Sequence, residues 1–213
     1  MKKFFIIIGI IILVIFIALF IWGVYCDNTI AITNYCVNNT KNDAKLKFVV
    51  ITDLHNKEYG EKNADLAGLV KEQNPDFIAV CGDMVNRGDP DTTKMKDVLK
   101  KLADIAPTYC CLGNHERDNA AEFGTDFKSE IDSTGAVLLD DEYIKFTKNG
   151  KSVLIGGMSD YPYYEFYTPE DDVPSRTLWE EFAEKAKNNF TILLHHQPEY
   201  IAEDAKKTDI DLI

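Results

Sequence analysis

The stretch VVITDLHNKE, residues 49–58, takes an apolar run directly into Asp53 and His55. Side chains two positions apart in an extended chain leave the same face, so these two polar groups should point to one spot beside the strand end. That arrangement suits a pair of metal ligands. A structural explanation also exists, because aspartate is common in turns and a lone histidine is usually a polar surface group. The rest of the chain decides between the two.

Three further apolar runs, at residues 77–82, 108–113 and 190–194, also end in polar side chains. Gly82 and Gly113 close two of these runs and allow a sharp turn or a close approach of the backbone. If these polar residues had only structural roles, the same pattern of an apolar strand ending in a polar side chain would have to arise four times by chance. The polar residues at the four strand ends are Asp53, His55, Asp83, Asn114, His115, His195 and His196.

The segments between the first three runs have apolar residues at helical spacing. We expect helices over residues 61–74 and 91–105, and a third over residues 119–135 that ends at Gly135. This β-α-β series predicts a parallel sheet with crossover helices. Ligands gather outside the carboxyl ends of the strands in such a sheet, so the polar residues should face one crevice.

After Gly135 the pattern changes to short apolar pieces separated by polar turns. Residues 136–139, 143–146 and 152–158 predict antiparallel or meandering strands of a second sheet. The elements predicted further along are a helix over 175–189, a strand over 190–196, a helix over 198–207 opened by Pro198, and a strand over 208–213.

The strand-end residues supply carboxylate, imidazole and amide oxygen donors, which suit Mn, Fe or Zn. Two divalent ions bridged by a shared carboxylate would clamp a phosphate and generate a nucleophilic hydroxide. Asp83 is the natural bridge.

The composition narrows the class of protein. With 213 residues, 46% of them hydrophobic, the chain is long enough for one well-buried domain. Asp and Glu total 35 against 23 Lys and Arg, a net charge of −12, so no nucleic-acid partner is expected. The five cysteines are irregularly spaced and odd in number, which does not describe a disulfide framework. Cys81, Cys110 and Cys111 suit buried positions, and a bridge between Cys26 and Cys36 is left open.

Residues 4–25 form an uncharged, mostly apolar run that is long enough to cross a bilayer. A cleaved signal peptide is the competing interpretation, but the run is longer than usual and Val24-Tyr25 is a poor cleavage site. We favour an uncleaved anchor. Lys2 and Lys3 should stay on the cytoplasmic side, which places the rest outside as a single-pass protein of the cell membrane with an extracytoplasmic domain.

Four blocks occur in a fixed order: DLH (53–55), GDMVNRG (82–88), GNHE (113–116) and HHQP (195–198). In this order they resemble the calcineurin-like metallophosphoesterases, most closely the membrane-anchored bacterial branch. The resemblance implies a four-layer α/β/β/α sandwich with a dinuclear site for two divalent metal ions (Mn, Fe or Zn). The predicted divisions are an anchor (1–26), a polar stalk that could add one edge strand (27–46), and a metallophosphoesterase domain (47–213).

The resemblance also implies roles for individual residues. Asp53 and His55 would hold the first metal, Asp83 would bridge, and Asn114 would hold the second. His196 fits the family's H-x-P form, so it is assigned as a ligand and His195 as a strand or supporting residue. His115 would not bind metal. It would stabilise the phosphoryl oxygens or protonate the leaving group, with Glu116 or another acid orienting its ring.

The sequence departs from the family pattern at two points. Asn86 stands where many members have a second Asp, at a position that is not generally a ligand. The larger difference is a missing Gly-His-x-His block, whose histidines complete both metals. We therefore expect the domain to be truncated at its C-terminus, the longer gene product to supply that block directly after Ile213, and the 213-residue form to bind metal weakly.

The leading hypothesis is a metal-dependent phosphoesterase that hydrolyses a phosphoester or phosphoanhydride by attack of metal-bound hydroxide. The alternative is a non-catalytic, membrane-anchored envelope protein that keeps a truncated phosphoesterase fold as a binding or scaffolding module. The expected partners are a phosphorylated small-molecule or lipid-linked substrate, and the membrane through the N-terminal helix. The tyrosine-rich segment 161–167 and a phosphate contact by Arg87 or Arg117 are left open.

Overall fold

The structure is a computed structural model that describes residues 2–38, 41, 45–158 and 173–213, without the side chains of residues 173–177 and 200. The chain forms two compact units, Met1–Val37 and Asn38–Ile213. The tyrosine-rich segment 161–167 lies outside the described residues.

The first unit contains one helix of 26 residues, α1 (Lys2–Asp27), and none of its residues is buried. Its exposed side chains are almost all large and apolar. A helix that is apolar all round belongs in a protein core or a bilayer. α1 is therefore long and apolar enough to be a membrane anchor or a signal sequence. The described residues after it, 29–38, contain no strand, so the edge strand suggested for the stalk is not formed there.

The second unit alternates helices and strands along most of its described length. The helices are α2 (Ala64–Glu72), α3 (Thr93–Ala103), α4 (Asn114–Phe123), α5 (Phe127–Asp132), α6 (Val173–Ala186) and α7 (Ala202–Ala205). The strands are β1 (Phe48–Ile51), β2 (Phe77–Cys81), β3 (Thr108–Cys111), β4 (Val137–Leu138), β5 (Glu142–Lys148), β6 (Lys151–Gly157) and β7 (Phe190–Leu194).

The first sheet has the order β1-β2-β3-β4, and every neighbouring pair is parallel. Its register places Ile51 beside Val80 and Cys81 beside Cys111. The carboxyl ends of β1, β2 and β3 therefore lie together at one end of the sheet. The predicted parallel sheet is confirmed.

The second sheet has the order β5-β6-β7. β5 and β6 form an antiparallel hairpin in which Lys148 pairs with Lys151 across Asn149 and Gly150. Both turn residues have positive φ, 52° and 76°, which is what a two-residue turn of type I′ requires. β7 pairs with β6 in the parallel sense, so its carboxyl end leaves the sheet beside Gly157.

The two sheets pack face to face, and helices cover their outer faces. Between the sheets lie Phe77, Ala79, Cys111, Leu139, Val153, Ile155, Phe190, Ile192 and Leu194. The outer face of the second sheet packs on α6 through Leu154, Leu193, Leu178 and Phe182. α3 contacts β3 and buries Met95, Val98, Leu99 and Leu102. These layers give the predicted α/β/β/α sandwich.

The single helix predicted over residues 119–135 is wrong. The chain forms α4 and α5 instead, because Gly124 adopts a left-handed φ of 71° that ends α4. The Asp126 carboxylate then caps α5 by accepting the backbone N–H of Ser129 at 3.1 Å. The apolar spacing continues across the break, which is why spacing alone did not reveal it.

The prediction that residues 136–139 belong to the second sheet is also wrong. β4 pairs in parallel with β3 in the first sheet, with Val137 opposite Tyr109 and Leu138 opposite Cys110. A strand of two residues has too short a pattern to indicate its partner.

The end of the chain is less regular than the sequence suggested. The helix predicted over residues 198–207 begins as a 3-10 turn and continues only as the short α7. The strand predicted over residues 208–213 is reduced to one parallel bridge between Leu212 and Ile192. The carbonyl of Leu212 accepts the N–H of Leu193 at 2.9 Å, so this segment still borders β7.

Gly157, the last residue of β6, lies directly against the backbone of Leu139, the residue after β4. A Cβ atom there would lie 2.2 Å from the carbonyl oxygen of Leu139. We expect Gly157→Ala to lower the free energy of unfolding by about 2 kcal/mol or more, because backbone must move to admit the methyl group. Gly68→Ala is the control, since nothing lies within 4 Å of its Cβ position in α2. It should be neutral or raise the free energy of unfolding by up to about 1 kcal/mol. Urea unfolding measures both, and equal stability of the two variants would contradict the packing described.

Candidate metal centre

The first polar pair leaves β1 in a left-handed backbone conformation. Asp53 and His55 have φ of 56° and 47°, a region that residues other than glycine rarely occupy. Backbone hydrogen bonds hold this turn against the end of β2. The N–H of Asp53 donates to the carbonyl of Gly82 at 3.1 Å, and that of His55 donates to the carbonyl of Asp83 at 3.0 Å. Backbone strain of this kind is concentrated at functional sites.

The Asp83 carboxylate is the centre of the cluster and is only 4% exposed. Its Oδ2 lies 3.2 Å from Nε2 of His196, 3.7 Å from Nε2 of His115 and 3.8 Å from Nε2 of His55. The Oδ1 of Asp53 lies 3.4 Å from Nε2 of His55. Three imidazoles and a second acid therefore surround one buried carboxylate.

These donors form two overlapping groups that share Asp83, and the ligand atoms within each group lie within 4.8 Å of one another. One group is His55, Asp83 and His115, and the other is Asp53, Asp83 and His196. The sequence-based assignment paired Asp53 with His55 and kept His115 off the metals. The five residues are together as expected, while their division between two metals stays a prediction.

Burial alone would raise the pKa of the Asp83 carboxyl group. The hydrogen bond with His196, the N–H of His115 and the positive charge available on these two rings outweigh burial, and they hold the pKa below its ordinary value. Asp83 is therefore ionised at neutral pH and available as a ligand.

The His196 ring is oriented by the end of β2. Its Nδ1 lies 2.8 Å from the carbonyl oxygen of Cys81, which can only accept, so Nδ1 carries a proton. Nε2 faces Asp83 at 3.2 Å, where it donates to the carboxylate when the ring is protonated on both nitrogens and has a free lone pair for a metal ion when it is not. Such a backbone partner is the usual support of a metal-ligating histidine. The Nδ1 of His195 instead accepts the N–H of Gln197 at 3.2 Å.

The His115 ring is held from a different side. Its Nδ1 accepts the backbone N–H of Arg87 at 3.0 Å and lies 3.2 Å from the carbonyl of Val85. Because the Arg87 amide can only donate, the neutral ring carries its proton on Nε2, the atom that faces Asp83. From the sequence we expect Glu116 or another acid to orient this ring. Among the described residues the ring nitrogens contact backbone groups and the acid Asp83, and Glu116 bonds to backbone N–H groups instead.

Asn114 is the first residue of α4 and sits between His115 and Gly113. A Cβ atom at Gly113 would lie 2.3 Å from Oδ1 of Asp83, so only glycine lets β3 approach the carboxylate so closely. The N–H of His115 donates to the same Oδ1 at 3.0 Å. The start of α4 is thereby fixed against Asp83, so the backbone of Asn114 lies beside the cluster, while a metal contact by its side chain stays a prediction.

Glu116 has a role that the sequence analysis did not assign to it. It is 2% exposed, and its carboxylate accepts backbone N–H groups from the loop of Asp83 and from Gly113. The available signal was its position three residues after Gly113, the spacing at which a glutamate bonds back to the residue that caps a helix.

The two arginines beside the motifs have acidic partners. Nε of Arg87 lies 2.7 Å from Asp118, and a guanidinium nitrogen of Arg117 lies 2.6 Å from Asp140. Both of these contacts are with acids other than Asp83.

The donor set fits divalent cations. The oxygen and imidazole nitrogen donors that meet at Asp83 are those that Mn, Fe and Zn accept. Two of the histidines already use Nδ1 in backbone contacts and present Nε2 to the cluster. Asp53 and His55 are half-exposed or nearly so, which leaves one side of the cluster open.

Known proteins that resemble this chain include one solved structure and two curated relatives. The crystal structure of TT1561 from Thermus thermophilus matches with a TM-score of 0.53 at 12% identity, covering 78% of this chain and 79% of that one, which shows the fold alone. Phosphodiesterase YaeI of Escherichia coli K12 is 32% identical over 54% of this chain and 44% of its own length. The uncharacterized metallophosphoesterase YkoQ of Bacillus subtilis 168 is 24% identical over 75% of this chain and 56% of its own length.

The chain thus spans about half the length of the curated relatives it matches. The sequence model of the calcineurin-like phosphoesterases matches residues 46–213, which include the whole cluster around Asp83 and both sheets. The chain belongs to the calcineurin-like phosphoesterase family.

Proposed function

We propose that this protein is a metal-dependent phosphoesterase whose dinuclear site is centred on Asp83. The observation that supports the proposal most directly is one buried, ionised carboxylate shared by two groups of ligand atoms. When bound, two divalent cations would polarise the phosphoryl group of the substrate and supply the nucleophile.

The chain's own residues would hold and orient the reactants. Asp53, His55, Asp83, Asn114 and His196 would bind the cations. His115 presents an Nε2–H to the same space and would donate this hydrogen to a phosphoryl oxygen or to the leaving group. The substrate is proposed to be a phosphorylated small molecule or a lipid-linked phosphate, because α1 would keep the site near a membrane.

Asp83→Asn tests the centre of the site. The amide keeps the shape of the side chain but removes the charge that two cations would share, so we expect hydrolysis of bis(p-nitrophenyl) phosphate with Mn²⁺ to fall by on the order of a hundredfold or more. Asp132→Asn, on the exposed face of α5, should leave the rate unchanged. Equal rates in the two variants would exclude a phosphoesterase site at Asp83 and would favour the non-catalytic alternative.

His115→Ala separates the two roles that the geometry allows for this ring. If His115 is a proton donor, the variant should keep its bound Mn²⁺ and lose about 10²- to 10⁴-fold in rate. The metal content of the purified variant shows whether His115 is a ligand, and its turnover rate shows whether His115 contributes to the reaction. Loss of a metal ion would instead make His115 a ligand, as its group with His55 and Asp83 permits.

We propose that α1 is an uncleaved anchor with Lys2 and Lys3 on the cytoplasmic side. Protease added to intact bacterial cells that express the chain should then digest the phosphoesterase domain without prior permeabilisation. Permeabilised cells are the control for protease sensitivity. A domain that is cut only after permeabilisation would place it in the cytoplasm.

A further inference from the structure

Asp83 presents its carboxylate from a left-handed backbone conformation with φ of 53°. We propose that Glu116 is a positioning residue that fixes this conformation and thereby sets the affinity of the site for divalent cations. This inference rests on the proposed function, because it takes Asp83 to be a metal ligand.

The Glu116 carboxylate accepts four backbone N–H groups. Oε2 accepts from Asp83 at 2.8 Å and from Gly113 at 2.9 Å. Oε1 accepts from Met84 at 2.7 Å and from Val85 at 3.1 Å. Three successive amides of one turn therefore converge on a single anion, as they do in the backbone nests that bind phosphate.

The four hydrogen bonds to Glu116 hold the backbone around Asp83, the central ligand of the proposed metal site. The turn at residues 83–85 can point three N–H groups at one side chain only while Asp83 stays left-handed, a conformation that a residue other than glycine does not favour. The bond to Gly113 ties the same oxygen to the end of β3. The backbone of Asp83 is thus fixed relative to the ends of β2 and β3, while its carboxylate accepts the N–H of His115.

Both the negative charge and the length of the Glu116 side chain are needed to hold this turn. Glu116 is 2% exposed, and a buried carboxylate is very costly unless hydrogen bonds satisfy it. Four amides do so here, and bonds to an ionised acceptor are the strong ones. A glutamine would keep one oxygen and turn an NH₂ group towards two backbone donors. Those two amides would lose their partner, and the turn would be released from its left-handed form.

Asn119 gives a matched comparison on the same buried face of α4. It is 1% exposed, its Oδ1 accepts the N–H of Gly88, and its Nδ2 donates to the carbonyls of Asn86 and Asp89, all at 2.8 Å. Asn119 therefore holds the part of the loop that follows the metal-binding turn. Its removal should cost stability without releasing Asp83.

The test is a titration of the full chain, solubilised in detergent, with Mn²⁺ alone, followed by the electron paramagnetic resonance signal of the free ion. We expect Glu116→Gln to weaken Mn²⁺ binding about 10- to 100-fold. Asn119→Ala should lower the urea midpoint but keep the affinity of the wild type. Glu122→Gln, on the exposed side of α4, should change neither quantity.

If folded Glu116→Gln binds Mn²⁺ as tightly as the wild type, the inference is overturned. It is also overturned if Asn119→Ala loses as much affinity as Glu116→Gln, because both losses would then come from a general loosening of α4. If Glu116→Gln does not fold, Glu116→Asp replaces it, because the shorter acid keeps the charge but cannot reach all four amides. Weaker Mn²⁺ binding by Glu116→Asp supports the inference, and unchanged Mn²⁺ binding overturns it. A wild-type chain that binds no Mn²⁺ would overturn the proposed function, and this inference with it.

Discussion

Asp83 is an ionised carboxylate buried where the ends of two sheets meet, and the arrangement of the site follows from the need to compensate it. The acid follows β2 in the first sheet, whereas its nearest imidazole, His196, follows β7 in the second. Hydrogen bonds from His196 and from the N–H of His115 keep the group charged in spite of its burial. Glycine at position 113 leaves the space that this contact needs.

The compensation within the protein is incomplete in terms of charge. Glu116, a second buried acid, contacts the turn of Asp83 from α4, and an oxygen of Asp53 lies within 4.8 Å of the Asp83 carboxylate. Among the described residues, three histidines lie within 4 Å of the Asp83 carboxylate, and contacts of the nearby arginines are with Asp118 and Asp140. An excess of negative charge at a partly open cluster favours divalent cations, and it would also slow the approach of an anionic substrate until those cations are bound.

The parts of the site that the sequence predicted are those fixed by strand ends. The β-α-β series placed Asp83 and His115 at the same end of the sheet. Asp53 and His55 meet there as expected, 3.4 Å apart, but through a left-handed turn and not through the extended alternation that the sequence suggested. After β7 the two adjacent histidines could be told apart only by analogy with the family pattern. The structure separates them by their partners, since His196 bonds to the carbonyl of Cys81 and His195 to the N–H of Gln197.

What the sequence did not predict depends on contacts between distant segments. The role of Glu116 requires knowing that the turn after β2 lies over the start of α4, which no local pattern records. β4 has only two paired residues, so its sheet is chosen by tertiary packing and not by its own alternation. Gly124 breaks a helix whose apolar spacing continues, because a left-handed cap and the capping Asp126 together outweigh that spacing.

The position of the cluster also couples metal binding to folding. His196 reaches Asp83 only when β7 packs on β2, and this contact belongs to the hydrophobic layer between the sheets. A cation held by residues from both sheets would bind the folded chain and not the unfolded one, so it would stabilise that layer by mass action, by roughly 2.7 kcal/mol at a concentration one hundred times its Kd. Packing also affects metal binding. Any substitution that separates the sheets removes His196 from the cluster, so it lowers the affinity for metal even though no ligand residue is changed. The packing of the apolar layer is for this reason part of the metal centre.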